Sequence, residues 1–109
     1  MLDCDLSAAL DGSVTFAYVV RNAGETPVTC RFSDAARMEV VVTEGGAERW
    51  RSSDGQVFAQ VLGEETLAPG ESVTYEAEWA DPPTGRYEAR ADLLARERSC
   101  AARVAFEVP

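Results

Sequence analysis

Acid–base and nucleophilic chemistry near neutral pH most often recruits histidine, and this chain has none. Its ten cationic residues are all arginine, so lysine is absent too. Without histidine there is no Ser–His or Cys–His pair, no carboxylate–histidine relay and no imidazole zinc ligand. Without lysine there is no Schiff base and no Ser–Lys dyad. The carboxylates Glu64 and Glu65 are the most conspicuous remaining pair. On a strand, neighbours point to opposite faces, and in a loop such a pair is solvated. Asp3, Asp5 and Asp54 offer oxygen ligands, yet no loop has the twelve-residue spacing of a calcium site. Cys4, Cys30 and Cys100 lack close metal-type spacing and read as small buried hydrophobes. No glycine-rich phosphate loop precedes a helix. The chain is therefore expected to be no enzyme and to need neither cofactor nor metal.

Positioning any other function falls to the elements, which composition bounds first. A length of 109 residues with 46% apolar and 27% charged content reads as one globular domain spanning 1–109. No run approaches the roughly 20 apolar residues of a membrane span. Residues 1–10 include Asp3, Cys4 and Asp5 and no basic residue, unlike a signal peptide, so the expected location is cytoplasmic. A net charge of −9 carried without lysine matches salt-adapted chains, in which repulsion is screened within a few ångströms. The arginine bias is equally what a GC-rich genome produces. Either origin excludes nucleic acid as partner, because phosphate neutralisation needs clustered cations, and the arginines from Arg86 to Arg103 are interleaved with Glu88, Asp92 and Glu97.

The dominant period is two. Leu2, Cys4, Leu6, Ala8 and Leu10 alternate with polar or small residues before Asp11-Gly12 turns the chain. Strands follow over Val14 to Val20, Val28 to Phe32, and Met38 to Val42, where Gly45-Gly46 reverses the chain towards Trp50. Val73 to Trp79, Tyr87 to Leu93 and Ala102 to Val108 complete the series, each with one apolar face. Seven to eight half-buried strands at regular spacing predict an all-β, immunoglobulin-like antiparallel sandwich of two sheets. Pro69-Gly70 has the chemistry of a type II turn, which requires positive φ at its third residue. Tyr87, after Pro82-Pro83-Thr84-Gly85, is placed to cap backbone upstream as a tyrosine corner does. Cys4 and Cys100 share the inward phase of the first and last strands and could approach within bonding range. A cytosol would hold them reduced.

Trp50, Ser53 and Phe58 form Trp-x-x-Ser-x-x-x-x-Phe; Leu67, Pro69, Gly70 and Glu71 form Leu-x-Pro-Gly-Glu; Gly85 and Tyr87 form Gly-x-Tyr, with Trp79 ending the strand before it. Together with Phe32-Ser33-Asp34 and Met38 to Thr43, over roughly residues 12–95, this order resembles the intracellular proteinase inhibitor family of the BsuPI type. The resemblance implies an inhibitor of intracellular subtilisin-type serine proteases that acts by stoichiometric binding.

Between Trp50 and Leu67 lie about sixteen residues without clear alternation, and loops of that length tend to be functional. Two readings stay open. In one, Trp50, Phe58 and Leu67 fold under the loop and plug an edge of the sandwich. In the other, part of the crossover enters a protease cleft, and the size of Phe58 and Leu62 makes them the candidate contacts. A second candidate surface is the loop end formed by Asn22 to Pro27 and Pro82 to Gly85. The alternative to inhibition is a non-catalytic, regulatory interaction module that binds a partner through a strand edge or sheet face.

Overall fold

Alternation builds most of the elements where the sequence places them. The computed structural model describes residues 1–109 and contains nine strands. They are β1 (Leu2–Leu10), β2 (Val14–Asn22), β3 (Val28–Phe32), β4 (Met38–Glu44), β5 (Ala47–Arg51), β6 (Gly63–Leu67), β7 (Ser72–Trp79), β8 (Gly85–Leu93) and β9 (Ala101–Val108). All pairings are antiparallel. Hydrogen bonding gives a three-stranded sheet ordered β1-β2-β7, a four-stranded sheet ordered β5-β4-β8-β9, and a separate β3-β6 ribbon. This is the strand order of an immunoglobulin-type sandwich with one added short ribbon. The expected seven or eight strands become nine, because β5 and β6 occupy both ends of the stretch read as an irregular crossover.

Register fixes what the sheets bury. Tyr18 lies opposite Leu6 on one side and Tyr75 on the other, while Ala89 lies between Val42 and Val104. Val14, Phe16, Tyr18, Val40, Val42, Ala89 and Ala91 are fully buried, so the small residues of β8 sit where the bulky ones of β2 need room. Leu10, in phase with this face, is 43% exposed, because its strand ends at the Asp11-Gly12 turn.

Five aromatic rings close a circuit in the core. Phe16 stacks on Trp50 at 5.8 Å and Trp50 on Trp79 at 5.9 Å. Trp79 meets Tyr87 edge-on at 5.1 Å, Tyr87 meets Phe106 at 5.6 Å, and Phe106 returns to Phe16 at 5.5 Å. Aromatic pairs at these spacings add about 0.5–1.5 kcal/mol each beyond the area they bury. Tyr87 also donates its hydroxyl to the Pro83 carbonyl at 2.7 Å, which ties the proline corner to β8. Gly85 sits beneath that hydroxyl, where a Cβ would meet Glu44 Oε2 at 2.7 Å.

A polar knot holds the opposite end. Asn22 is fully buried; its amide nitrogen donates to the Thr26 and Leu67 carbonyls and its oxygen accepts from Gly24 N–H. The Pro69-Gly70 turn docks there, with Gly70 N–H donating to Asn22 O at 2.8 Å and Asn22 N–H to Glu71 O at 2.9 Å. Gly70 has φ +82°, the value a type II turn demands at that position. Since Val14 pairs with Trp79 and Arg21 with Ser72, the Asn22 to Pro27 and Pro82 to Gly85 loops lie at opposite ends of the β2–β7 ladder. They do not form the joint surface that the sequence suggested.

Cys4 and Cys100 form a disulfide, with Cα atoms 6.2 Å apart, that joins β1 to the approach of β9. The expectation of three reduced thiols therefore holds for Cys30 alone, which is buried. No helix of the structure is long and apolar enough to cross a membrane.

Candidate functional site

Residues 52–62, between β5 and β6, leave the sheets and return to them. At the start, Ser52 is buried and paired to the β4 backbone in both directions. Its N–H donates to Val40 O at 2.9 Å and its hydroxyl accepts from Val40 N–H at 2.8 Å. Ser53 N–H donates to the Glu39 carboxylate at 3.2 Å, and Asp54 and Gln56 close turns onto Arg51 and Ser53. The motif serine, Ser53, thus uses its backbone, while the neighbouring Ser52 supplies the buried hydroxyl. Spacing gave no means of separating the two.

Beyond Gln56 the chain runs without regular structure until Gly63. Its one hydrogen bond to the rest of the fold from Val57 to Leu62 is Ala35 N–H to Ala59 O at 2.9 Å. Val57 is 98% exposed, Val61 64% and Leu62 74%, three of the six large apolar side chains left in water. Phe58 points the other way. It is half-buried and forms one wall of an open groove of about 380 Å³, whose other walls are the bend at Ala35, Ala36 and Arg37 and residues Thr74 to Ala77 of β7. Of the two candidate contacts, Leu62 is exposed and Phe58 is half-buried.

Where the segment re-enters the fold, Glu64 and Glu65 take opposite faces of β6. Glu64 pairs with Arg31 of β3 at 3.4 Å, and Glu65 accepts the Tyr75 hydroxyl and lies 3.5 Å from Arg37 Nε. Burial and the adjacent Glu65 carboxylate push the Tyr75 phenol well above its ordinary value. Burial likewise raises the Cys30 thiol. The sequence placed Asn22 only in a candidate loop surface and marked neither Arg37 nor Ser52, because their partners lie elsewhere along the chain.

The charges on β8 and β9 are locally neutralised. Arg86 pairs with Glu107, Arg90 with Asp92 and Arg103 with Glu88, so the outer face of β8 and β9 presents alternating charge. No three His, Cys, Asp or Glu side chains converge as metal ligands would.

Fold and segment together define a small β-sandwich domain from which one apolar loop projects. The sequence matches the model of the intracellular proteinase inhibitor family, BsuPI, over residues 2–98, and the chain belongs to that family. No curated protein matches it. Among solved structures it is similar to the CARDB domain of the PF1109 protein from Pyrococcus furiosus, determined in complex with di-metal ions. That match has a TM-score of 0.55 and 14% identity over 99% of this chain and 92% of the other. The solution structure of CsgH from R. palustris matches with a TM-score of 0.50 and 19% identity over 95% and 91% of the two chains. At these identities the likeness is one of fold.

Proposed function

We propose that this protein inhibits a subtilisin-type serine protease by one-to-one binding, with Val57 to Leu62 as the segment presented to the cleft and Leu62 as its principal apolar contact. Membership of a proteinase inhibitor family supports inhibition. The observation that carries the assignment of the segment is the exposure of Val57, Val61 and Leu62 on backbone held at both ends. Soluble domains gain nothing for their own stability from apolar side chains left in water, whereas a partner gains by covering them. A segment ordered before binding also spares the complex the entropy of ordering it. Phe58, half-buried, turns from solvent towards the groove that it borders.

On this reading the protein has no catalytic role and no cofactor and acts in the cytoplasm; membership of an intracellular inhibitor family supports an intracellular site. On the same reading the −9 charge with arginine as the sole cation marks a salt-adapted chain. Titration of a subtilisin-type protease with Leu62→Asp and wild-type protein tests the assignment. Loss of inhibition in the variant, with unfolding unchanged, supports the segment. Equal inhibition by both moves the contact elsewhere, and no inhibition by either favours the interaction-module reading.

A further inference from the structure

We infer that Arg37 is the positioning residue that keeps Val57 to Leu62 rigid, an inference that rests on that segment being the contact. Arg37 ends the bend between β3 and β4, and its guanidinium makes four contacts, two at the end of β3 and its following bend and two on β6. Nη1 donates to Asp34 O at 2.8 Å, and the guanidinium carbon lies 4.4 Å from the centre of the Phe32 ring, a cation–π contact. Nε lies 3.5 Å from Glu65 Oε2, the oxygen that also accepts the Tyr75 hydroxyl from β7.

The fourth contact is with the exit of the segment itself. The guanidinium packs on Gly63 so closely that a Cβ there would meet Nη2 at 2.5 Å and the guanidinium carbon at 3.0 Å. A side chain at 63 would require the guanidinium to shift from this position. The same bend supplies the Ala35 N–H that holds Ala59 O, and Ala35, Ala36 and Arg37 line one groove together with Phe58. One short bend is therefore the platform for the middle of the segment and, through Arg37, for its end.

A planar fork is needed to stack on an aromatic ring, hydrogen-bond a carbonyl and pair with a carboxylate together. Lysine, a point charge on a flexible stem, would keep only the last. With one backbone hydrogen bond between Val57 and Leu62, the segment is held chiefly through its flanks, and Arg37 braces the one at Gly63 and Glu65.

The test compares wild type with Arg37→Ala, Arg37→Met and Gly63→Ala. Each is incubated with subtilisin, cleavage is mapped by mass spectrometry, and amide exchange is followed in the segment and in β2 and β8. Removal of a charge-assisted network should raise cleavage and exchange within residues 57–62 by about tenfold or more, with β2 and β8 unchanged. Arg37→Met keeps the bulk over Phe32 and should behave like the alanine variant, which separates loss of the fork from loss of packing. Should Arg37→Ala loosen β2 and β8 as well, the methionine variant decides. Cleavage and exchange of 57–62 at the wild-type rate in a folded Arg37→Met protein would overturn the inference. These rates need no inhibition to be read. A wild type that never inhibits therefore removes the proposed function, whereas variants that inhibit with unchanged segment exchange remove only the role of Arg37.

Discussion

At the scale of single residues, the side chains that matter most are polar ones whose partners lie far away in sequence. Asn22 uses every polar atom of its amide while fully buried. Asn22→Leu would leave Gly24 N–H and the Thr26 and Leu67 carbonyls to lose their partner, and unmet buried groups cost about 1–3 kcal/mol each. Urea unfolding of that variant should show a loss of at least about 3 kcal/mol. Tyr18, buried and donating to the Cys100 carbonyl, has its phenol pushed up to about 12, chiefly by burial, and Tyr75 is raised further. Both shifts favour the neutral phenol. Their stabilisation is complete below the ordinary value near 10 and is lost as pH rises through the folded values. Absorbance titration should show two phenols still neutral at about pH 11, each removed in turn by Tyr18→Phe and Tyr75→Phe. From sequence, Asn22 read only as part of a turn and Tyr18 only as an inward residue. Patterning reveals a face, but hydrogen-bond partners 45 and 82 positions away are set by topology.

At the scale of elements, legibility followed the apolar alternation. β2 and β8 bury one face against a sheet, so period two marks them plainly. β5 and β6 escaped because neither carries that signal. Ala47-Glu48-Arg49-Trp50-Arg51 is an edge strand with one aromatic inward, its charges paired on the surface as in Arg51–Glu48 at 2.8 Å. In β6 the half-buried positions are Gly63 and Glu65, and a carboxylate is tolerated there only because Tyr75 and Arg37 satisfy it. The intervening segment was visible as a long break in alternation, and its two faces were not. Phe58 and Leu62 looked equivalent as large apolar residues, yet one is half-buried at the wall of a groove and the other stands in water. Opposite outcomes follow for the two. Phe58→Ala should lower stability by about 1–3 kcal/mol through lost burial, while Leu62→Asp should leave the unfolding midpoint unchanged and remove inhibition. Thermal unfolding beside a protease titration reads both.

At the scale of the molecule, the disulfide closes nearly the whole chain into one loop, with 96 positions between Cys4 and Cys100. Cross-linking so long a loop restricts the unfolded chain, and its loss should cost about 2–5 kcal/mol. The Cys4→Ser, Cys100→Ser double variant and the reduced wild type should lose the same amount in chemical unfolding. Phase made the approach of these cysteines legible, whereas the assumed compartment argued against the bond, and the chain geometry outweighs that argument here. The single family resemblance carried across the whole sandwich because its motifs are structural joints: Trp50 and Trp79 in the aromatic circuit, Pro69-Gly70 on Asn22, and Gly85 beneath Tyr87. Such joints preserve the platform, and inhibition has to be measured on the loop that the platform carries. The most direct measurement is a tight-binding titration of a subtilisin-type protease from the same cell, in dilute buffer and in molar salt, with folding verified in each. A linear fall in activity to near zero at one-to-one stoichiometry is the predicted result. A folded protein that leaves the protease fully active, or is itself digested, would contradict it.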